Sequence, residues 1–237
     1  AQFSVGGDIA TRFQTGYEIG YFFGYETAGI FQTQDEIDNA AVVQDGAQPG
    51  DLIFKDQNGD GVVNFNGDLD KTYLGSPIPD FTMGFAFNLK FKGFDLSGSL
   101  YAAIGQEIIR NYERQQPYAN QLGYVVDRWT GPGSTNEHPR VTTGQTRNNV
   151  FSSYFVEDGS FARLKNIQLG YTVPSKKLKR LKIDSFRIYT AVNNLFTLTR
   201  YQGFDPDIGS PGVLAAGVDY GFYPQAKTYM VGIQLKF

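Results

Sequence analysis

The sequence predicts an all-β protein of the membrane-barrel class, with antiparallel strands joined alternately by short turns and long external loops. Three observations carry that prediction. Stretches of about ten residues alternate large apolar with small or polar side chains, which puts the two sets on opposite faces of a strand. The links between these stretches alternate in length. Aromatic residues and glycine are abundant, with 20 Phe, 15 Tyr and 28 Gly among 237 residues, a bias toward strands and turns over helices.

The chain opens on "AQFSVGGDIA", already strand-like, with no signal peptide ahead of Ala1, so a piece of something longer is expected. After a long link comes "FTMGFAFNLKF". Phe81, Met83, Phe85, Phe87, Leu89 and Phe91 take one face, and Thr82, Gly84, Ala86, Asn88 and Lys90 the other. A "KG" turn leads into "FDLSGSLYAAI", where Phe94, Leu96, Gly98, Leu100, Ala102 and Ile104 oppose Asp95, Ser97, Ser99 and Tyr101. The pair reads as a hairpin whose strands cross a hydrocarbon layer when tilted.

"FARLKNIQLGYTV" follows, with Ile167, Leu169, Tyr171 and Val173 against Asn166, Gln168, Gly170 and Thr172. The basic stretch "PSKKLKRLK" is a solvent-exposed turn. "DSFRIYTAVNNLFTL" reads as one strand, with Phe186, Ile188, Thr190, Val192, Asn194, Phe196 and Leu198 on one face. The last stretch, "YMVGIQLKF", sets Tyr229, Val231, Ile233, Leu235 and Phe237 against Met230, Gly232, Gln234 and Lys236.

The long links at 15–79, 105–160 and 199–225 fall on one side of the strands, and the short ones at 91–94 and 174–184 on the other. Barrels of the outer membrane have short periplasmic turns and long extracellular loops, so the long links are expected outside and the chain end in the periplasm. Aromatics at strand ends (Phe81, Phe91, Phe94, Tyr171, Phe186, Phe196, Phe237) fit an interfacial girdle. A soluble β-sandwich is the alternative, and in it the apolar face would be a core.

Composition removes other classes. The net charge of −3 provides no basic field for nucleic acid. There is no Cys, one His and one Trp, so disulfide frameworks, thiol chemistry and multi-histidine metal sites are excluded. No apolar run is long enough for a transmembrane helix, which says nothing against strands. No Ser–His–Asp set, phosphate loop or zinc spacing is present, and no enzymatic activity is expected.

Several motifs converge on one family. "GYFFGYETAGIFQTQDEI", "PGDLIFKDQNGDGVVNFNGDLDKTYLGSPIPDFTMGF", "DGSFARLKNIQLGYTVP", "FRIYTAVNNLFTLTRYQGFDPD" and "VDYGFYPQAKTYMVGIQLKF" occur in order over nearly the whole chain. Together they resemble the C-terminal region of SusC/RagA-type TonB-dependent outer-membrane transporters of the Bacteroidetes. The resemblance implies a barrel of about 22 strands with a plugged lumen. It also implies import of oligosaccharides or peptides, a SusD-like surface lipoprotein acting as a lid, and TonB acting through upstream regions outside these 237 residues. Residues 1–237 would be part of the barrel without its plug and N-terminal strands. Barrels of this kind end on an alternating strand with a terminal aromatic that the barrel assembly machinery reads; Tyr229, Val231, Ile233, Leu235 and Phe237 resemble that signal, their side chains facing outer-membrane lipid.

Within the first long link, "DQNGDGVVNFNGD" places Asp56, Asn58 and Asp60 at positions 1, 3 and 5 of an EF-hand-like loop, with Gly61 at 6, the Val62 carbonyl at 7 and Asn64 at 9. Hard oxygen ligands at this spacing suit a structural Ca²⁺. Position 12 is Gly67 in place of Glu, and Asp68 is the substitute one residue on. An Asx- and Gly-rich turn that binds nothing has the same composition. "GFDPD" reads as a Pro-stiffened turn, "NNLF" as polar lumen contact or packing near a turn, and His138 as a surface residue. Trp129, with Tyr112, Tyr118 and Tyr124, is the candidate set for stacking on a sugar ring or packing on a peptide.

Overall fold

Side-chain alternation along the chain resolves into short and long strands whose pairing fixes which face each residue joins. The computed structural model describes residues 9–112, 122–142, 146–174, 183–209 and 212–237. Tyr118, residues 1–8 of the opening and residues 175–182 of the basic turn lie outside the described residues. In chain order the elements are β1 (Thr11–Arg12), β2 (Tyr21–Tyr25), β3 (Thr27–Ile30), α1 (Gln34–Asp38), β4 (Leu52–Phe54), β5 (Lys71–Gly75), β6 (Phe81–Phe91) and β7 (Phe94–Ile104). They continue with β8 (Glu107–Arg110), β9 (Val156–Asp158), β10 (Phe161–Val173), β11 (Ser185–Asn193), β12 (Thr197–Thr199), β13 (Val218–Asp219) and β14 (Thr228–Lys236). The chain divides into two compact units, one of residues 1–78, 107–157 and 208–222, the other of residues 79–106, 158–207 and 223–237.

The second unit is built on one antiparallel sheet in the order β14-β11-β10-β7-β6, with β12 also on β10. Rows across it confirm the face assignment. Leu89, Leu96, Leu169, Thr190 and Val231 are successive partners in one row, while the adjacent row on the other face is Lys90, Asp95, Gly170, Tyr189 and Gly232. The apolar row is uncovered: Leu89 is 60% and Val231 78% exposed. A sandwich would bury these side chains under a second layer, and this unit has none over them. Eleven residues, the length of β6 and β7, extend about 36 Å and rise about 25 Å when tilted near 45°, the height of an outer-membrane apolar band.

Two irregularities in this sheet correct the simple alternation. The pairing of β10 with β7 shifts register between Leu164 and Asn166, leaving Lys165 as a bulge. Arg163 shares sequence parity with Ile167 and Leu169, so an unbulged strand would turn it to the apolar face. The extra residue reverses parity, setting Ala162 and Leu164 beside Ala102 and Leu100 and placing Arg163 on the opposite face beside Tyr101. The expected single strand through Leu198 is also broken. β11 stops at Asn193, Asn194 takes a left-handed φ of 51°, and β12 resumes along β10. The break faces the bulge: the Asn194 and Leu195 amides donate to the carbonyls of Lys165 and Leu164 at 3.0 and 3.2 Å. Asn tolerates this conformation better than most residues.

The first unit takes up most of the long links, which carry strands of their own. Its small sheets are β1-β2-β5 and β3-β4, with β13 running parallel to β8 in the sheet β13-β8-β9. One core gathers Ala10, Phe22, Ile109, Phe151, Phe155 and Val218; the other gathers Tyr25, Ile30, Leu52, Phe54 and Val63. The short α1 is capped at its start, where Thr33 Oγ1 accepts the Glu36 amide at 3.2 Å and Glu36 Oε2 accepts the Gln32 amide at 2.6 Å. Backbone groups of an irregular segment must find partners when buried. Side chains provide them here: buried Gln44 bonds both Leu52 and Phe54, and buried Asn148 bonds Leu52.

Candidate functional site

The loop at 56–70 is organised by its own acidic side chains. Asp56 accepts the Gly59 and Gly61 amides, each at 2.7 Å, Asn58 the Asp60 amide at 2.9 Å, and Asp60 the Val62 amide at 2.9 Å. Gly59 and Gly61 take φ of 74° and 85°, where a side chain would be strained. The Gly61 amide, followed by that of Gly59, holds the Asp56 carboxyl below the usual aspartate range. Asn64 accepts the Asn66 amide at 3.0 Å. Asp68 pairs instead with Arg12 and, at 3.4 Å, with Lys71; the Arg12 guanidinium is the main reason its carboxyl also sits low.

The residue that the sequence reading missed is Asp70. It is fully buried, accepts the Gln57 and Asn64 amides at 3.1 and 2.6 Å, and so ties the two sides of the loop together. Among the described residues no ion pair reaches Asp70, and no three His, Cys, Asp or Glu side chains are grouped as a ready-made metal site. In the sequence Asp70 lies outside the twelve-residue loop template, so spacing alone did not single it out.

Of the aromatic candidates, Trp129 and Tyr124 fall close together, both meeting His138, and are engaged by the protein. Trp129 packs against the second core, its Nε1 donates to Gln32 Oε1 at 3.1 Å, and its backbone amide donates to the His138 carbonyl at 2.8 Å. A Cβ on Gly50, whose φ is 90°, would run into the Trp129 ring. Tyr124 stacks on His138 with centroids 4.8 Å apart, and His138 Nδ1 lies 3.1 Å from Tyr154 Oη. Arg110 adds its guanidinium 4.8 Å from the Tyr124 ring centre. Tyr112 lies beside Gly221. His138, expected on the surface, is therefore part of an aromatic cluster.

On the sheet unit, the polar face carries two charged groupings. Arg163, whose side chain is 2% exposed, pairs with Asp205 and donates to Thr197 at 2.8 Å. Asp205 also accepts the Gln225 and Asp207 amides, both at 2.9 Å, and Lys165 holds Asp207 at 2.7 Å. "GFDPD" is thus a turn, as expected, and its carboxylates fasten it to β10. Burial pushes the Asp205 carboxyl up, but the Gln225 amide and Arg163 together outweigh it and bring it below the usual range. The second grouping joins Arg187 to Asp95 across β10. "NNLF" shows polar contact at its first residues: Asn193 accepts from Asn166 at 2.7 Å, and Asn194 donates to the Ala226 carbonyl at 3.1 Å. In the terminal strand, Tyr229, Val231, Ile233 and Leu235, with Phe237 after it, are all at least half exposed, and Met230, Gln234 and Lys236 on the opposite face are exposed as well.

A long antiparallel sheet with an uncovered apolar face and a polar, ion-paired opposite face defines a wall segment of a transmembrane β-barrel. No family model matches the chain. It is similar to TonB-dependent receptor P3 of Formosa agariphila, at 34% identity over 94% of this chain and 22% of that protein. It is also similar to TonB-dependent receptor SusC of Bacteroides thetaiotaomicron, at 28% identity over 83% of this chain and 18% of that protein. Among solved structures, the RagAB peptide transporter matches with TM-score 0.73 and 26% identity over 97% of this chain and 24% of that one. The RagAB peptide importer in its open-open state matches with TM-score 0.71 and 25% identity over 96% of this chain and 23% of that one. The chain belongs to the TonB-dependent receptors of the SusC/RagA type, and it spans about a fifth of the length of the curated relatives it matches.

Proposed function

We propose that this chain forms part of the barrel wall and external face of an outer-membrane importer. The importer takes up oligosaccharides or peptides, is energised through TonB by regions outside these residues, and works with a SusD-like surface lipoprotein. The observation that carries this reading is the uncovered apolar face, continuous from Leu89 to Val231 across the whole sheet. Its support from relatives is the match over nearly the full chain to receptors of this type. In this reading the links at 91–94 and 174–184 and the end at Phe237 face the periplasm, and the long links face outward. The test is a strain lacking the full-length receptor, grown on a panel of oligosaccharides and of peptides as sole nutrient, together with affinity purification of the tagged receptor from outer membranes. Growth lost on one class and a co-purifying surface lipoprotein support the reading. Unchanged growth on every member, with no lipoprotein recovered, overturns it.

We infer a second role, for Ca²⁺, at the loop of Asp56, Asn58, Asp60, Val62 and Asn64. The observation favouring it is buried Asp70, which accepts the Gln57 and Asn64 amides and closes the loop that carries Asp56, Asn58 and Asp60: several hard oxygen donors on one closed loop suit a divalent cation. Asp68, engaged by Arg12 and Lys71, would join only by releasing them. The ion's part would be structural, stiffening an external segment.

A further inference from the structure

At β11 the polar face of the sheet contains a pattern that the apolar face of β10, β11 and β14 lacks; the apolar face has a counterpart between β6 and β7, where the Phe87 ring lies over Gly98. In one row Asp95, Gly170, Tyr189 and Gly232 are successive partners on β7, β10, β11 and β14. Each glycine makes room for a neighbour's side chain. The Tyr189 ring lies over Gly232, in the space a Cβ there would need. The Asp95 carboxylate and Arg187 guanidinium meet in the space a Cβ on Gly170 would need, with Arg187 Nε donating to Asp95 Oδ1 at 3.0 Å. Arg187 also donates to Gln234 Oε1 at 3.2 Å, and its guanidinium lies 4.9 Å from the Tyr189 ring centre. One arginine and one tyrosine therefore touch all three neighbouring strands through two gaps that only glycine leaves. Gly84, on the same face of β6, has open space around it, so glycine on this face is not always filled in this way.

We propose that Tyr189 and Arg187, seated over Gly232 and Gly170, set the register in which β11 joins β10 and β14. The apolar face cannot do this. A slip of one residue would turn every side chain to the wrong face, but a slip of two preserves the faces. Such a slip sets Thr190 against Ile233 or Tyr229 in place of Val231, one apolar side chain for another. On the polar face the same slip sets Tyr189 against Gln234 or Met230, where no gap receives the ring, and carries Arg187 away from Asp95.

Cross-linking reads the register directly, because the chain has no cysteine. The full-length receptor, with any cysteine outside these residues changed to serine, would carry Thr190→Cys with Val231→Cys (native partners), or with Ile233→Cys or Tyr229→Cys (slipped partners). Each would be refolded from urea into phosphatidylcholine vesicles and oxidised. With Tyr189 and Arg187 present, the native pair is expected to cross-link and the slipped pairs to stay reduced. Tyr189→Ala with Arg187→Ala should shift cross-linking to a slipped pair, whereas Tyr189→Phe, which keeps the ring, and Gly84→Ala should not. Tyr189→Ala by itself removes no charge and keeps the test readable if the double variant does not insert. Native cross-linking undiminished in Tyr189→Ala, or an equal shift in Gly84→Ala, overturns the proposal. No transport is measured, so failure here leaves the importer reading untouched.

Discussion

Arg163 and Lys165 lie two positions apart, and the bulge at Lys165 decides whether the Arg163 guanidinium joins the apolar face or meets a carboxylate. With the bulge, Arg163 reaches Asp205 in a buried pair. Asp205→Asn is expected to cost about 1–3 kcal/mol, since Arg163 loses its nearest buried carboxylate and keeps only Asp207 at 3.4 Å; the measurement is denaturant unfolding of the refolded receptor. The carboxyl's depressed pKa fixes the sign of the pH effect. Its contribution is fully present above the usual aspartate value of 3.8 and is lost as pH falls through the lower folded value. Wild type should therefore lose stability relative to Asp205→Asn only as pH falls below 3.8, and the loss is complete once pH is below the folded value. At the terminal strand, Val231→Arg places a charge on the lipid face and should cost about 2–4 kcal/mol near the midplane, while Gln234→Ala should be mild; folding into vesicles across a urea series compares them. Deleting Phe237 should lower the receptor's outer-membrane level if the assembly machinery reads that residue, and unchanged levels in fractionated membranes would remove that role.

Among the elements, the hairpin of β6 and β7 and the terminal β14 were legible in the sequence, because their side chains alternate without interruption. β11 was legible only as far as Asn193. Its continuation through Asn194 to Leu198 kept the alternating pattern on paper, but the bulge opposite it takes the Asn194 and Leu195 amides and breaks the strand. The loop at 56–70 was legible as an Asx- and Gly-rich acidic turn, and its closing residue was not, because Asp70 is brought in by burial rather than by spacing. If the loop takes Ca²⁺ as inferred, the ion at a concentration 100 times its dissociation constant should stabilise the segment by about 2.7 kcal/mol. Limited proteolysis of purified receptor in Ca²⁺ against EDTA reads this as slower cleavage near residues 56–70. Asp56→Asn with Asp60→Asn should abolish the difference, and equal cleavage rates in wild type would dismiss the ion.

For the whole molecule, the uncovered apolar sheet predicts a detergent requirement. The purified receptor should be monodisperse in detergent and aggregate on its removal, as followed by size-exclusion chromatography, whereas a sandwich would stay dispersed without it. Periodicity by itself determined that the long strands carry one apolar and one more polar face and which side chains belong to each, because a pleated strand sends alternate residues to opposite faces wherever it pairs. The family was legible too, since its motifs are long and follow one order. Only the tertiary structure decided that the long links carry strands and cores of their own, that Trp129 and Tyr124 are packed within them, and that Arg163 meets Asp205 and Arg187 meets Asp95. The physical reason is range. Alternation is a property of adjacent residues, whereas a bulge, a buried carboxylate or an ion pair over a glycine depends on partners dozens of positions away, whose approach no local pattern encodes.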